Sequence, residues 1–295
     1  MQKPRARIVV RLDGGLGNQM FQYAAGRAAA LAGARELWLD PRGIAARGNG
    51  RRYGLDAFSL EPRFLSARDR LLIRAATGAR LPAAVRGIAA ALGGRRWQIV
   101  REGAAAIPPE GDLVLEGYWQ APAWFAGAEA ALDHDFAFRA PPSAAVAAWA
   151  TRIRAAESVA VHVRRGDYVS SPEVRAVHNA LEPAYYALAG EALRQRVGQG
   201  TFFVFSDDPD WAEAHIRLPG PTTTVRHEGT VAAHDDMRLM SLCRHAIIAN
   251  SSFSWWGAWL ARHPGQVVTA PARWFRSRPA PTGLIPPQWI VVDAG

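Results

Sequence analysis

Short apolar runs alternate with longer segments of helical period along most of this chain. Ile8-Val9-Val10 lies between arginines and stops at Leu12-Asp13, which predicts a buried strand from Arg7 to Leu12. Asp13 to Gly17 forms a glycine loop, and Asn18 to Ala32 is an alanine-rich helical stretch with Gly33 as its C-cap. Glu36 to Asp40 reads as a second strand, completing a βαβ opening. Residues 41–64 read as irregular and 65–94 as helical, and Leu113 to Glu116 as a strand ending in Gly117-Tyr118-Trp119-Gln120. Pro141-Pro142-Ser143 then breaks the pattern and places a domain boundary near residue 150. In the second half, strands are predicted at 158–163, 201–205, 245–249 and 267–270. Helices are predicted at 144–156, 183–197, 209–216, 235–243 and 253–262. The expectation is an α/β protein with two doubly wound, Rossmann-like sheets, 1–150 and 151–295, facing each other across a cleft.

Composition narrows the chemistry. The chain has 295 residues and a formal charge of +9, and Lys3 is its only lysine. Schiff-base catalysis and a lysine-dependent P-loop are therefore excluded, and any cationic grip on phosphate falls to arginine. Cys243 stands alone, which rules out an intrachain disulfide and a thiolate zinc cluster and fits a reducing compartment. The N-terminus shows no signal peptide and no apolar run is long enough to span a bilayer, so a cytoplasmic location is expected. Between residues 68 and 101 eight arginines face one acidic residue, Asp69, with apolar positions at roughly helical spacing. That segment reads either as a peripheral contact with an anionic membrane or as solvated helix faces over an ordinary core. Nucleic acid is the weaker partner, since no binding motif accompanies the charge.

Chemistry concentrates where predicted strands end. Val161-His162-Val163 runs into Arg164-Arg165-Gly166-Asp167-Tyr168. Two guanidiniums at a strand's carboxyl end suit an anionic ligand, although the same residues could form a surface ion-pair turn. Asp207 and Asp208 follow the strand at 201–205, where they could accept hydrogen bonds from a ligand or cap the next helix. Ser251, Ser252, Phe253 and Ser254 open a helix after the strand at 245–249, with hydroxyls facing a ligand and Trp255, Trp256 and Trp259 in the core. Gly17, Asn18 and Gln19 occupy a strand-to-helix loop suited to an anion or a sugar, but Met20 breaks the dinucleotide fingerprint. Asp133-His134-Asp135 resembles a metal-holding string but precedes a proline-rich linker, and Asp235-Asp236 opens a helix as its cap.

Six segments in order carry a family resemblance: 14–26 (GGLGNQMFQYAAG), 117–120 (GYWQ), 162–168 (HVRRGDY), 202–211 (FFVFSDDPDW), 236–260 and 270–275 (APARWF). Together they resemble glycosyltransferase family 11, the α1,2-fucosyltransferases, from about residue 8 to 275 and least between 41 and 112. The resemblance implies a GT-B fold and inverting, metal-independent transfer of L-fucose from GDP-L-fucose to the 2-hydroxyl of a terminal galactose. The acceptor would belong to a bacterial surface glycan such as O-antigen, lipid-linked in one form, with no cofactor. Arg164 would grip the donor β-phosphate, His162 would contact the donor, and Asp167 would act as base or brace. Gly17, Asn18, Gln19, Arg165, Asp207, Asp208, Ser251, Ser252, Phe253 and Ser254 would complete the donor site. The first domain would take the acceptor and the second GDP-sugar. Another GDP-hexose, another acceptor, or a non-catalytic sugar-binding protein are the alternatives.

Overall fold

The computed structural model describes residues 5–46, 50–77, 84, 87–88, 97–227 and 233–294. The chain divides into two units, Met1–Arg139 and Ala140–Gly295. The division therefore falls before the boundary expected near residue 150. The helix Ala144–Arg154 belongs to the second unit because its apolar side (Val146, Ala150, Ile153) is buried there.

The first unit holds β1 (Arg7–Arg11), α1 (Leu16–Ala32), β2 (Glu36–Asp40), α2 (Arg42–Ala46), α3 (Ala67–Thr77), β3 (Trp97–Arg101), β4 (Asp112–Glu116) and α4 (Glu129–Asp135). Its four strands are parallel in the order β2-β1-β4-β3. Successive side chains of a strand point to opposite faces, and both faces of β1 are covered. Val9 packs with Val114, Leu65 and Ile73 of α3. Val10 faces α1 at Gly26, where an added Cβ would overlap Val10 Cγ2 and lie 2.9 Å from Leu37 Cδ1. The pattern did not reveal β3, an edge strand whose Trp97-Gln98-Ile99 alternation is too short to stand out and is broken by the adjacent apolar pair Ile99-Val100. Of the arginines in the basic stretch 68–101, Arg68, Arg70, Arg74 and Arg101 lie within the described residues. Helix α3 covers 67–77 of the helix predicted over 65–94, residues 84 and 87–88 are also helical, and the remaining positions from 78 to 94 lie outside the described residues.

The second unit runs α5 (Ala144–Arg154), β5 (Ser158–Val163), α6 (Gly166–Ser170), α7 (Pro172–Val177), α8 (Pro183–Val197), β6 (Thr201–Ser206), α9 (Pro209–His215), β7 (Thr222–Thr224), α10 (Ala233–Leu242), β8 (His245–Ile247), α11 (Ser252–Ala261), β9 (Val268–Pro271) and β10 (Ile290–Val292). Its six strands are again parallel, in the order β10-β9-β8-β5-β6-β7. Every residue of β5 is buried, as expected for a central strand sandwiched between helices. From β5 the chain moves outward to β6 and β7, then returns to place β8 on the other side of β5. The loops after β5 and β8 thus leave in opposite directions and open a crevice at the carboxyl ends, the usual ligand position of such sheets. Both units are Rossmann-like parallel sheets, the elements of the GT-B architecture. Among the described residues no helix is long and apolar enough to cross a membrane.

Candidate active site

Arg164 emerges at the carboxyl end of β5, and two carboxylates fix its direction. Its Nη1 lies 2.7 Å from Asp207 Oδ2, and its Nη2 donates to Asp167 Oδ1 at 2.6 Å. Pairing of Val163 with Ser206 across β5 and β6 is what brings Asp207 to it. Burial works against the charge on Arg164, but Asp207 and Asp167 outweigh it and hold its pKa above the usual value. A guanidinium has five N–H groups, so three remain for a ligand after these two bonds. The arrangement orients a permanent charge; its side chain is 30% exposed, so a ligand can still reach it.

Arg165 is used differently. Its backbone N–H donates to Asp207 Oδ1 at 2.8 Å, its Nε donates to Asp208 Oδ2 at 3.2 Å, and its guanidinium lies 3.7 Å over the Trp211 ring. Asp208 Oδ1 also accepts from the Trp211 N–H and so caps α9, while Asp207 serves the arginines. Of the two roles left open for the Asp pair, Asp208 takes the helix cap, and Asp207 is committed to Arg164 and the Arg165 N–H. Gly166 is required here, since a Cβ would sit 2.5 Å from Asp207 Oδ2. Asp167 is engaged with Arg164 in a short ion pair, an arrangement suited to bracing and poor for a free base.

His162 is 6% exposed, with its ring centroid 5.4 Å from that of Phe253. Burial, assisted by the neighbouring Arg164 charge, pushes its pKa down to about 3. Its Nδ1 is buried and has no hydrogen-bond partner among the described residues. The unfolded chain takes up a proton near pH 6.5 that the folded chain refuses until about pH 3, so acid favours unfolding across that window. Between pH 7.5 and 5 this group alone should remove roughly 2 kcal/mol of stability. Urea unfolding of the native protein and His162→Gln at both pH values checks this. An equal loss in both proteins would show that His162 is not responsible.

At the end of β8, Tyr168 donates its hydroxyl to the Asn250 carbonyl at 3.0 Å, tying the two loops together. Asn250 in turn donates to the carbonyls of Asn179 and Trp274. Ser251 caps α11 by accepting from the Phe253 N–H at 3.3 Å, and Ser252 and Phe253 are half-buried at the helix start. Ser254 does not face a ligand as the motif suggested. It is fully buried and donates back to the carbonyls of Ala249 and Ser251, because a buried hydroxyl needs a local acceptor. Trp255 and Trp256 are core residues, as expected, and Trp259 is partly buried. Tyr168 and Asn250 were not singled out in the sequence; their strand-end positions were the available signal.

The glycine loop at 14–19 belongs to the first unit. Gly14 takes φ +81° and Gly15 caps α1 without a side chain. Gly17 is buried in the first turn of α1, and Asn18 accepts from Gln120 Nε2 at 2.8 Å. Gln19 is a correction: its amide donates to the carbonyls of Gly14 and Arg52 and accepts from the Gly54 N–H. It is fully buried and spends its hydrogen bonds holding two loops in register. In GYWQ, Gly117 takes φ +139° against Glu102, whose carboxylate accepts from the N–H groups of Tyr118 and Gln120. Asp135 accepts from Tyr23 and Arg27 at 2.8 and 2.7 Å, a structural role for the D-x-D string. Asp236 lies in the first turn of α10, but its carboxylate also meets His227 Nε2 at 2.6 Å.

Two parallel Rossmann-like units, with an arginine anchored at the carboxyl edge of the second, are the parts of a GT-B fold. The family model for Glycosyl transferase family 11 matches residues 134–290, and the chain belongs to that family. Over 97% of this chain and 99% of the relative, it is 32% identical to an alpha-1,2-colitosyltransferase of Escherichia coli. It is 30% identical to human galactoside alpha-(1,2)-fucosyltransferase 1 over 46% of this chain and 38% of that protein. The fold is similar to the fucosyltransferase NodZ from Bradyrhizobium, with a TM-score of 0.51, 16% identity, and coverage of 88% of this chain and 94% of that one.

Proposed function

We propose that this enzyme transfers L-fucose from GDP-β-L-fucose to the 2-hydroxyl of a terminal galactose, with inversion and without a metal ion. The observation that carries the reading is Arg164, held between Asp207 and Asp167 at the crevice of the second sheet. Loss of GDP places negative charge on the departing diphosphate while the sugar develops oxocarbenium character. A guanidinium already oriented, together with N–H and O–H groups at the start of α11, meets that charge with no reorganisation at the moment of reaction. His162 remains neutral at working pH and shapes the wall beside Phe253. Asp167, Asp207 and Asp208 are each committed to guanidiniums or backbone N–H groups, an arrangement that disfavours their use as cation ligands. Transfer is therefore expected to continue unchanged in excess EDTA; loss of activity that added Mg²⁺ or Mn²⁺ restores would overturn the metal-free reading.

The E. coli relative supports a second donor. Colitose is fucose without its 3-hydroxyl, so GDP-colitose could enter a site built for the same 6-deoxy sugar. A site that hydrogen-bonds the 3-hydroxyl rejects the deoxy sugar strongly, because its polar partner is left unpaired. Parallel kcat/KM measurements with GDP-fucose, GDP-colitose and GDP-mannose on one galactoside separate the donors. The reading expects GDP-fucose to be preferred; preference for GDP-colitose would move the enzyme to the second donor, and preference for GDP-mannose would remove both.

A further inference from the structure

The first unit contains a cavity of about 770 Å³. It lies at the carboxyl ends of the sheet ordered β2-β1-β4-β3, lined by residues at the ends of all four strands and by α3. Arg11, Arg42, Arg70, Arg74 and Arg101 contribute five guanidiniums to its wall, against the carboxylates of Asp13, Asp40 and Glu116. Glu116 pairs with both Arg11 and Arg101, and Asp40 takes Arg42 through two bonds of 2.9 and 2.8 Å. Arg70 and Arg74 stand one turn apart on α3, on its cavity side. Arg70 donates to the Leu65 carbonyl, and among the described residues no carboxylate pairs with either arginine. Two cationic groups thus remain in excess at a concave position typical of ligand sites.

We propose that this cavity binds an anionic group, a phosphate or carboxylate carried by the acceptor glycan, and that Arg70 and Arg74 are the specificity residues that bind it. The assignment rests on the reading that the first unit takes the acceptor. Arg70 is oriented by its bond to Leu65, and Arg74 is exposed on the rim, so an anion can reach both without breaking an existing ion pair. Guanidinium forks match phosphate and carboxylate oxygens in two-point geometry. Arg68, on the same helix, does not line the cavity and serves as the internal control for general positive charge.

The test uses the full chain with three galactosides: a neutral one, one carrying a phosphate and one carrying a uronic acid. The wild-type KM should be about tenfold lower for at least one anionic acceptor than for the neutral one, and the gap should shrink as salt rises. Arg74→Gln and Arg70→Gln should abolish the gap with little change in KM for the neutral acceptor, whereas Arg68→Gln should preserve it. Whichever anionic acceptor shows the gap identifies the source of the charge. Equal KM values in the wild type, or a gap that Arg68→Gln removes as well, would overturn the assignment. Calorimetric binding of the phosphorylated galactoside in the absence of donor keeps the two readings apart. Binding that Arg74→Gln weakens, without transfer from any GDP-sugar, would sink the proposed reaction but leave the anion site standing.

Discussion

Arg164→Ala is expected to lower sugar transfer by roughly 10²–10³-fold while the protein stays folded. The guanidinium holds no core element in place; it is a partly exposed group at a strand end, and its loss removes positive charge from the leaving-group side. Its two carboxylate partners place the effect toward the upper end of that range. With Arg164 gone, Asp167 and Asp207 would present negative charge to an incoming diphosphate. Arg164→Lys should recover little, because an ammonium cannot satisfy both carboxylates and still present further N–H groups in one plane. Initial rates at saturating acceptor, alongside far-ultraviolet circular dichroism, separate chemistry from unfolding. Near-normal kcat in folded Arg164→Ala would remove this residue from the reaction.

Gly26→Val should destabilise the first unit by roughly 3 kcal/mol. Even the Cβ of the new side chain would overlap Val10 Cγ2 and press on Leu37 Cδ1, at the point where α1 lies closest to β1 and β2. The sheet is paired on both sides of β1, so the helix must shift or side chains must leave their rotamers. Amide hydrogen exchange in β1 and β2 reads the stability of this unit by itself. Faster exchange confined to the first unit is expected, and unchanged protection would mean that the helix accommodates the side chain.

These two residues show what the sequence could and could not disclose. Gly26 ends a motif that reads as a ligand loop, yet its purpose is the close approach of helix to sheet. A distance of that kind has no one-dimensional signature. Strands β5 and β6 were legible because strands inside a parallel sheet are buried on both faces and show as largely apolar runs. The edge strands β3, β7 and β10 were not: one has an alternation too short to stand out, and the other two are three residues long. The strand-end placement of Arg164, Arg165, Asp207 and Asp208 followed directly from the alternation, because polar residues after a buried strand must emerge at its edge. Their pairing did not follow, since it depends on the register that sets Val163 beside Ser206. Gln19 and Ser254 were misjudged for a common reason. A polar side chain in a glycine- or serine-rich motif can serve the backbone as readily as a ligand, and only burial distinguishes the two. The cavity between α3 and the ends of β1 and β4 was invisible for want of β3, which supplies Ile99 and Arg101 to its wall.

Nuclear magnetic resonance of the sugar product tests the proposed reaction most directly. GDP-β-L-fucose and a terminal β-galactoside should yield one new glycosidic linkage, with the anomeric signals of an α-L-fucosyl residue and a cross-peak from its C1 to galactose C2. A β-configured product, or attachment at another hydroxyl, would contradict inverting transfer to the 2-position.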